Sequence, residues 1–251
     1  MAQEKYVAYV GTYTHENSIG IHVYDIDMEK GKLTERSVAP ISNPSNIAVA
    51  HSGKYLYSIE DEGVASFSID ENGDLTKINQ AWIGGMRACY VEIDSNDRYL
   101  FLAGFHDGKV TMMRLNEDGS IAGIADGVFH QGVGKSSVEK RMDPRVSCTK
   151  LTPDEKYLCA VDWGLNQIKI YEVDYEEGKL HLYDILRFPF NSAPRRIRFS
   201  KDGKFAYVLE ETTNMVDIYT YDLREGKPVF EKIKTTSVLE KEDSLASGSA
   251  L

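Results

Sequence analysis

The sequence has few residues of the kinds that mark membrane, disulfide-rich or low-complexity proteins. Its 251 residues include only 7 Pro and 3 Cys, and its apolar runs stop far short of the ~20 residues that a membrane-spanning helix requires. The first residues, MAQEKYVAYVGTY, carry an acidic residue at position 4 and lack the apolar core of a secretion signal. These absences predict a globular, cytoplasmic protein without membrane contact.

The cysteines and histidines lack the spacing of a redox or metal motif. Cys89, Cys148 and Cys159 form an odd set without a CxxC pair, and each falls in an apolar run typical of a strand. We expect buried free thiols in a reducing compartment. The 6 histidines show no HxH or HxxxH spacing, so neither a metal site nor a cofactor is predicted.

Basic residues are in the minority. Lys and Arg number 29 against 39 Asp and Glu, a net charge of −10, which repels a phosphate backbone and argues against nucleic-acid binding. Residues 135–198 depart from this balance, with 12 basic and 10 acidic residues. A local basic zone in an acidic protein favours a small anionic ligand, and chance clustering on a solvated face is the alternative.

What the sequence does contain is a repeat that occurs five times. In each copy a polar turn precedes Lys or Arg, an aromatic residue and a short apolar run. The aromatics in register are Tyr6, Tyr55, Tyr99, Tyr157 and Phe205. An alternating strand, an acidic turn and a further strand follow, as in a β-hairpin. The turn glycines are Gly31, Gly73, Gly119, Gly178 and Gly226.

A short apolar strand before the polar turn completes four of the five repeats. Each repeat then holds about four short strands in 44 to 58 residues, without a helical period. Four antiparallel strands at a period of ~40 to 50 residues predict the blade of a β-propeller. We therefore expect an all-β fold, a β-propeller of four-stranded antiparallel blades with about five blades present. A β-sandwich is the alternative, although it does not require such regular self-similarity.

The predicted ring does not close on itself. Only five residues precede Tyr6, so the first repeat lacks its inner strand. Residues 236–251 are poorly patterned for a strand that would replace it. We expect a single, incomplete propeller domain over residues 1–251 with 236–251 as a tail. An open sheet edge exposes unpaired N–H and C=O groups, which predicts self-association there.

Arginines stand near the starts of three inner strands. Arg87 and Arg145 lie 12 residues, and Arg195 lies 10 residues, before the repeat aromatic. Since equivalent positions on successive blades point toward one axis, we expect these three guanidinium groups at one channel mouth. They would bind carboxylate or phosphate oxygens bidentately, which predicts a sugar acid or sugar phosphate as ligand. The alternative is that each arginine ties a blade to a nearby carboxylate.

Several segments together carry a family resemblance. They are YVGTYT, SIGIHVYDID, NPSNIAVAHSGKYLYSIE, GKVTMMRLNEDGSI, HQGVG, DPRVSCTKLTPDEKYLCAVDWGLNQIKIYEVD and APRRIRFSKDGKFAYVLEE. Across residues 5–225 the chain resembles the lactonase family of seven-bladed β-propellers. That family includes bacterial 6-phosphogluconolactonases and is similar to fungal carboxymuconate lactonizing enzymes. The resemblance implies hydrolysis of 6-phosphogluconolactone in the pentose phosphate route without a bound metal, and C-terminal blades that are lacking here.

The resemblance also implies which residues form the site. The family's PR pair before an inner strand and its acidic strand end fall on Arg195 and on Glu211, with Glu210 competing for the latter role. Lactone hydrolysis needs an activated water and a donor to the oxyanion. We expect Glu211 to orient the water, and Arg195 with Arg145 to stabilise the oxyanion. Arg145 stands where the family carries His, and unlike His it does not exchange a proton near neutral pH.

Three further residues are predicted to bind substrate: Arg196 after the PR pair, Arg87, and His130 in the long loop of the third repeat. For His130, a surface loop histidine is the alternative. Two other functions stay open, because propellers host many activities. One is a non-catalytic propeller that binds a peptide or sugar acid, and the other is cycloisomerisation of a muconate.

Overall fold

The computed structural model describes residues 6–132, 143–239, 247–248 and 250. Nineteen strands and no helix occur in these ranges, which confirms the all-β fold class. It follows that the described part of the chain offers no apolar helix of membrane-spanning length. The strands form five sheets, one of three strands and four of four, and each sheet is built from strands that follow one another in the chain.

The first three sheets hold eleven strands. They are β1 (Tyr6–Val10), β2 (Gly20–Asp27) and β3 (Lys32–Pro40); β4 (Ile47–Val49), β5 (Tyr55–Glu60), β6 (Gly63–Ile69) and β7 (Leu75–Ala81); and β8 (Tyr90–Ile93), β9 (Tyr99–Gly104), β10 (Lys109–Leu115) and β11 (Ile121–Phe129).

The last two sheets hold eight strands. They are β12 (Val146–Leu151), β13 (Tyr157–Asp162), β14 (Gln167–Asp174) and β15 (Lys179–Arg187); and β16 (Pro194–Phe199), β17 (Phe205–Glu210), β18 (Met215–Arg224) and β19 (Lys227–Ser237).

The repeat predicts where the strands begin and turn. Every one of the five repeat aromatics is the first residue of a strand, namely β1, β5, β9, β13 and β17. All five turn glycines have positive φ, from 60° to 83°, the conformation that glycine adopts without steric cost. The first sheet has three strands and starts directly with its aromatic strand, as predicted.

Burial follows the position of a strand in its sheet. Every residue of β9 and β13 is buried, and so is every residue of β5 except the first. By contrast β7, β11, β15 and β19 are mostly half-buried or exposed. A strand that is apolar and buried on both faces needs a packing partner on each side of its sheet. This burial profile is that of sheets packed face to face.

The chain divides into two compact units. The first comprises Met1–Leu100 with Met113–Ile124, and the second comprises Phe101–Met112 with Ala125–Leu251. In the first unit, Ile21, Leu56 and Phe67 belong to one buried apolar cluster. A single domain over residues 1–251, with 236–251 as its tail, stays a prediction.

All three cysteines are thiols, but only two of them are buried. Cys148 and Cys159 lie inside β12 and β13 as predicted, and burial raises the pKa of the Cys159 thiol. The expectation is wrong for Cys89, which is half-buried and stands one residue before β8 begins at Tyr90. The apolar run around it starts in the connection to the strand.

Tyrosine hydroxyls join each of three sheets to the hairpin turn of the next sheet in the chain. The O–H groups donate to turn carbonyls from Tyr9 to Gly73 (2.9 Å), from Tyr57 to Gly119 (3.1 Å) and from Tyr157 to Gly226 (3.0 Å). A buried phenol needs a hydrogen-bond partner. The turn glycines therefore serve the packing between sheets as well as the turn.

Two of these glycines provide a matched test of that packing. Gly119 and Gly226 have φ of 79° and 77°, but a Cβ at Gly119 would lie 2.2 Å from the Tyr55 ring, whereas one at Gly226 meets nothing within 4 Å. We expect Gly226→Ala to lower the free energy of unfolding by ~1 to 2 kcal/mol, the cost of left-handed backbone. We expect Gly119→Ala to lower it by ~1 to 3 kcal/mol more, because of overpacking.

Urea unfolding of the two alanine variants and the parent chain measures the difference. Equal losses in the two variants would contradict a role for Gly119 in packing against Tyr55.

Candidate active site

An aromatic ring in the second unit brings two of the predicted arginines together. Phe105 follows β9, Arg145 precedes β12, and Arg195 is the second residue of β16. The guanidinium carbons of Arg145 and Arg195 lie 5.3 and 5.8 Å from the centre of the Phe105 ring. The ring quadrupole attracts both cations. The ring therefore offsets part of the repulsion between two guanidinium groups that lie close to it.

Glu211 joins this group through a second aromatic residue. Trp163 Nε1–H donates to Glu211 Oε2 at 2.6 Å, and Arg195 Nη1 pairs with the same oxygen at 3.2 Å. The Trp163 and Phe105 ring centres are 5.8 Å apart. The side chains of Arg195 and Glu211 are 30% and 22% exposed, so a small ligand can reach them. We call Phe105, Arg145, Trp163, Arg195 and Glu211 the Phe105 cluster.

The cluster residues come from equivalent strand ends. Three of them stand six residues after a repeat aromatic, in the turn after the second strand of a sheet; they are Phe105, Trp163 and Glu211. Arg195 stands at the start of a first strand, and Arg145 stands directly before one. Because antiparallel neighbours bring the end of the second strand beside the start of the first, both kinds of position lie at one edge of the sheet.

A strained backbone position supports Arg195. Ala193 has a φ of 51°, a left-handed conformation that costs a residue with a Cβ ~1 to 2 kcal/mol. Its N–H donates to Asn166 Oδ1 at 2.9 Å, and its carbonyl accepts the N–H of Glu211 at 2.9 Å. These two bonds hold the segment that leads into Arg195 next to Glu211, the residue with which Arg195 pairs. Strain of this kind tends to occur at functional sites.

The two arginines do not occupy equivalent positions, which corrects the expectation drawn from their spacing. Arg195 lies inside β16, at the bulge between Pro194 and Arg196, whereas Arg145 lies directly before β12. The residue that corresponds to Arg195 in the preceding sheet is Ser147, at the bulge of β12. Its hydroxyl donates to the carbonyl of Arg195 at 2.9 Å. Arg145 lies 12 residues and Arg195 lies 10 residues before the repeat aromatic, and these two residues of difference in spacing correspond to different positions in the sheet.

Arg87 belongs to the first unit and is held by neighbours there. Its guanidinium carbon lies 5.4 Å from the centre of the Tyr13 ring. Its Nη2 donates to the hydroxyl of Ser45 at 3.0 Å and to the carbonyl of Asn43, and its Nε lies 3.4 Å from Asp61 Oδ1. These contacts match the alternative of an arginine that ties a sheet to a carboxylate. A channel mouth shared by three arginines, and substrate binding by Arg87, stay predictions.

The remaining predicted residues lie beside the cluster. Arg196 pairs with Leu209 across β16 and β17, and its role in substrate binding stays a prediction. His130 follows β11 directly, with a fully buried side chain, so the alternative of a surface loop histidine is wrong. The rest of its long loop, residues 133–142, falls outside the described ranges.

His130 makes a buried hydrogen bond to Asp162. Its Nδ1 lies 2.7 Å from Asp162 Oδ2, and both side chains are fully buried. The ring stacks near that of Tyr171, with centres 6.1 Å apart. Burial lowers the pKa of His130 more than the Asp162 carboxylate raises it, and Lys169 lowers it further. The imidazole is therefore favoured in its neutral form.

Reasoning from the residues missed Phe105, Trp163 and Asp162. The repeat contained the signal, because the position six residues after each repeat aromatic holds Phe105 and Trp163 as well as Glu211. Of the three residues at that position, only the charged one, Glu211, was predicted as a site residue. Among the described residues, no three His, Cys, Asp or Glu side chains are grouped so that they could hold a metal ion.

Comparison with known proteins identifies the family. Residues 7–250 match the model of the family described as "Lactonase, 7-bladed beta-propeller", and the chain belongs to this family. It is 34% identical over 241 residues to the 6-phosphogluconolactonase of Bacillus subtilis, an alignment of 94% of this chain and 67% of that protein. An uncharacterized protein of Staphylococcus saprophyticus is 32% identical, over 85% of this chain and 63% of that protein.

Solved structures give the same result. The periplasmic gluconolactonase of Pseudomonas aeruginosa superposes with a TM-score of 0.85 at 28% identity, over 96% of this chain and 70% of that chain. A protein from Lactobacillus plantarum superposes with a TM-score of 0.83 at 27% identity, over 96% of this chain and 70% of that chain. The present chain thus spans about two thirds of the length of its relatives.

The buried histidine predicts how stability depends on pH. Because the folded state lowers the pKa of His130 from 6.5, the unfolded chain binds a proton there before the folded chain does. Stability is therefore lost as the pH falls below ~6.5, by at most ~1.4 kcal/mol per pH unit. The groups that face the ring are Asp162, Lys169 and Tyr171.

We expect His130→Asn to remove this component, because asparagine does not titrate. Urea unfolding at several pH values from 5 to 7.5 measures it as a stability difference between parent and variant that changes across the range. A constant difference would contradict the pKa shift.

Proposed function

We propose that the chain hydrolyses 6-phosphogluconolactone to 6-phosphogluconate, a reaction of the pentose phosphate pathway in the cytoplasm. The observation that carries the proposal is the Arg195 and Glu211 pair, with Arg145 on the same Phe105 ring, in a member of the lactonase family. The 34% identity to a 6-phosphogluconolactonase supports the substrate. Since the chain spans about two thirds of that relative, its own activity is part of the proposal.

The cluster supplies groups for each step of lactone hydrolysis. Glu211 takes a proton from a water molecule as the water oxygen bonds to the lactone carbonyl carbon. Arg195 donates to the oxygen that becomes negative in the tetrahedral intermediate. The bond from that carbon to the ring oxygen then breaks, and the ring oxygen takes up a proton from Glu211. The product is an open chain with a carboxyl group at one end and the new hydroxyl group where the ring closed.

Arg145 is suited to binding and not to proton transfer. Its guanidinium presents a planar fork that matches phosphate or carboxylate oxygens, and it does not deprotonate near neutral pH. Every proton transfer is therefore left to Glu211 and water. The ring contact with Phe105 holds the Arg145 cation at 5.3 Å from the ring centre, within the range in which a cation is attracted to an aromatic face.

Removing Arg195 tests the oxyanion role. Loss of one oxyanion donor costs ~2.7 to 4 kcal/mol of barrier, which is ~100-fold or more in turnover. We expect Arg195→Ala to show that loss in kcat for 6-phosphogluconolactone, measured by acid release above the spontaneous rate. Arg224, whose exposed side chain pairs with Glu231 at 2.7 Å, provides the control: Arg224→Ala should keep the parent rate. Full activity of Arg195→Ala would contradict the assignment.

Replacing Glu211 separates base catalysis from binding. Glu211→Gln keeps an oxygen that accepts the Trp163 N–H but removes the base, so we expect kcat to fall by ~100-fold or more. The KM should change far less. Glu210→Gln is the matched variant at the competing residue, and it should leave kcat close to that of the parent. A large loss in Glu210→Gln alone would move the base to Glu210.

A non-catalytic function is favoured by one observation, the presence of Arg145 where the family pattern carries a histidine. The parent chain distinguishes the two functions. If it binds 6-phosphogluconate in calorimetry but hydrolyses neither 6-phosphogluconolactone nor gluconolactone, the chain is a binding module. If it converts a muconate to a lactone, the reaction is cycloisomerisation.

A further inference from the structure

Asp162 connects the two chain segments that carry Arg145 and Trp163. Its carboxylate is fully buried, and Oδ1 accepts the backbone N–H of Arg145 at 2.9 Å and that of Leu165 at 3.0 Å. The N–H of Trp163 in turn donates to the carbonyl of Arg145 at 2.9 Å. One carboxylate thus ties the start of β12 to the turn after β13. A buried carboxylate left without such donors would cost several kcal/mol.

The same two segments are in close backbone contact. A Cβ at Gly164 would lie 1.9 Å from the carbonyl oxygen of Asp143, so no other residue fits between them without a shift. Because the contact is so close, a small displacement of Asp162 must move Arg145, Trp163 or both. Both Arg145 and Trp163 contact the Phe105 ring that defines the cluster.

His130 is the side chain that holds the second oxygen of Asp162. The imidazole is fully buried, and its backbone N–H donates to the carbonyl of Gly108 at 2.8 Å, which anchors the residue at the end of β11. A neutral imidazole that donates from Nδ1 to a carboxylate has a bare Nε2. That Nε2 is buried and has no hydrogen-bond partner among the residues that the structure describes.

The two nitrogens therefore have different roles. Nδ1 is bonded to a group that positions the cluster, while Nε2 is enclosed and reaches no polar atom in the described part of the chain. A side chain with no exposed surface does not contact a substrate directly. This separates His130 from the substrate-binding role predicted from its loop.

We propose that His130 is a positioning residue for the Phe105 cluster: its Nδ1–H holds Asp162, and Asp162 fixes the backbone of Arg145 and of the Trp163 turn. The proposal rests on the proposed function only in that the cluster is the ligand site. The positioning itself can be measured without turnover.

Two substitutions separate the two ring nitrogens. Asparagine places its amide N–H near the position of Nδ1, and glutamine places its amide near the position of Nε2. We expect His130→Asn to keep the bond to Asp162 and His130→Gln to lose it. The chain has 2 Trp, and Trp82, in the first unit, is 68% exposed. A Trp82→Phe background therefore leaves Trp163 as the only indole reporter, at the site itself.

The measurements are Trp163 emission and its change on titration with 6-phosphogluconate, followed by kcat/KM where the parent is active. In the Trp82→Phe background we expect His130→Asn to keep the emission maximum and the affinity. We expect His130→Gln to shift the emission and to lower kcat/KM by ~100-fold, the typical effect of a misplacement of about 1 Å. A cooperative urea transition in each variant shows that it is folded.

Three results would overturn the positioning role. The first is that His130→Gln preserves emission and affinity while His130→Asn does not, because Nε2 and not Nδ1 would then make the important contact. Another is an unchanged Trp163 emission in both variants. If His130→Gln does not fold, amide hydrogen exchange in His130→Asn decides: protection of the Arg145 and Leu165 amides must be retained, and its loss overturns the role.

Failure of the proposed function would give different experimental results from failure of the positioning role. A parent chain without lactonase activity, whose Trp163 emission still shifts in His130→Gln, refutes the catalytic function and supports the positioning role. An active parent whose emission and kcat/KM are both unaffected in His130→Gln refutes the positioning role and leaves the function standing.

Discussion

The sheets of this protein cannot bury their apolar faces alone, and the rest of the structure depends on their packing against one another. Every residue of β9 and β13 is buried, which requires a neighbour on each face of a sheet. Packing between apolar faces is not directional by itself. Direction comes from the tyrosine hydroxyls that bond the turn carbonyl of the next sheet, such as Tyr157 to Gly226 at 3.0 Å. These bonds fix how far one sheet slides along another.

Such packing sets equivalent strand ends side by side, and the Phe105 cluster is built from them. The ring of Phe105 lies against two cations, 5.3 Å from Arg145 and 5.8 Å from Arg195. A carboxylate balances one of them, since Glu211 pairs with Arg195 at 3.2 Å and accepts the Trp163 N–H at 2.6 Å. An acidic protein of net charge −10 thus keeps a local group of two positive charges and one negative charge.

Much of this was predictable because the repeat is a local pattern. The turn glycines and the first residue of each aromatic strand follow from short segments that recur from copy to copy, whereas the roles of Arg195 and Glu211 rest on the family resemblance and stay predictions. The register of the arginines was misjudged although the spacing recorded it: Arg195 and Ser147 each lie 10 residues before a repeat aromatic, whereas Arg145 lies 12 residues before one. Cys89 was misplaced for a related reason, since its strand begins only at Tyr90.

The sequence by itself determined the number of repeats and the strand order within each repeat, because these depend on periodicity over a few tens of residues. Its motifs carried the resemblance to the family. Only the tertiary structure decided which side chains meet. His130 and Asp162 are 32 residues apart in the chain and form one buried pair, and Trp163 and Glu211 are 48 residues apart and share a hydrogen bond. Contacts at such separations come from the packing of sheets, which no local pattern encodes.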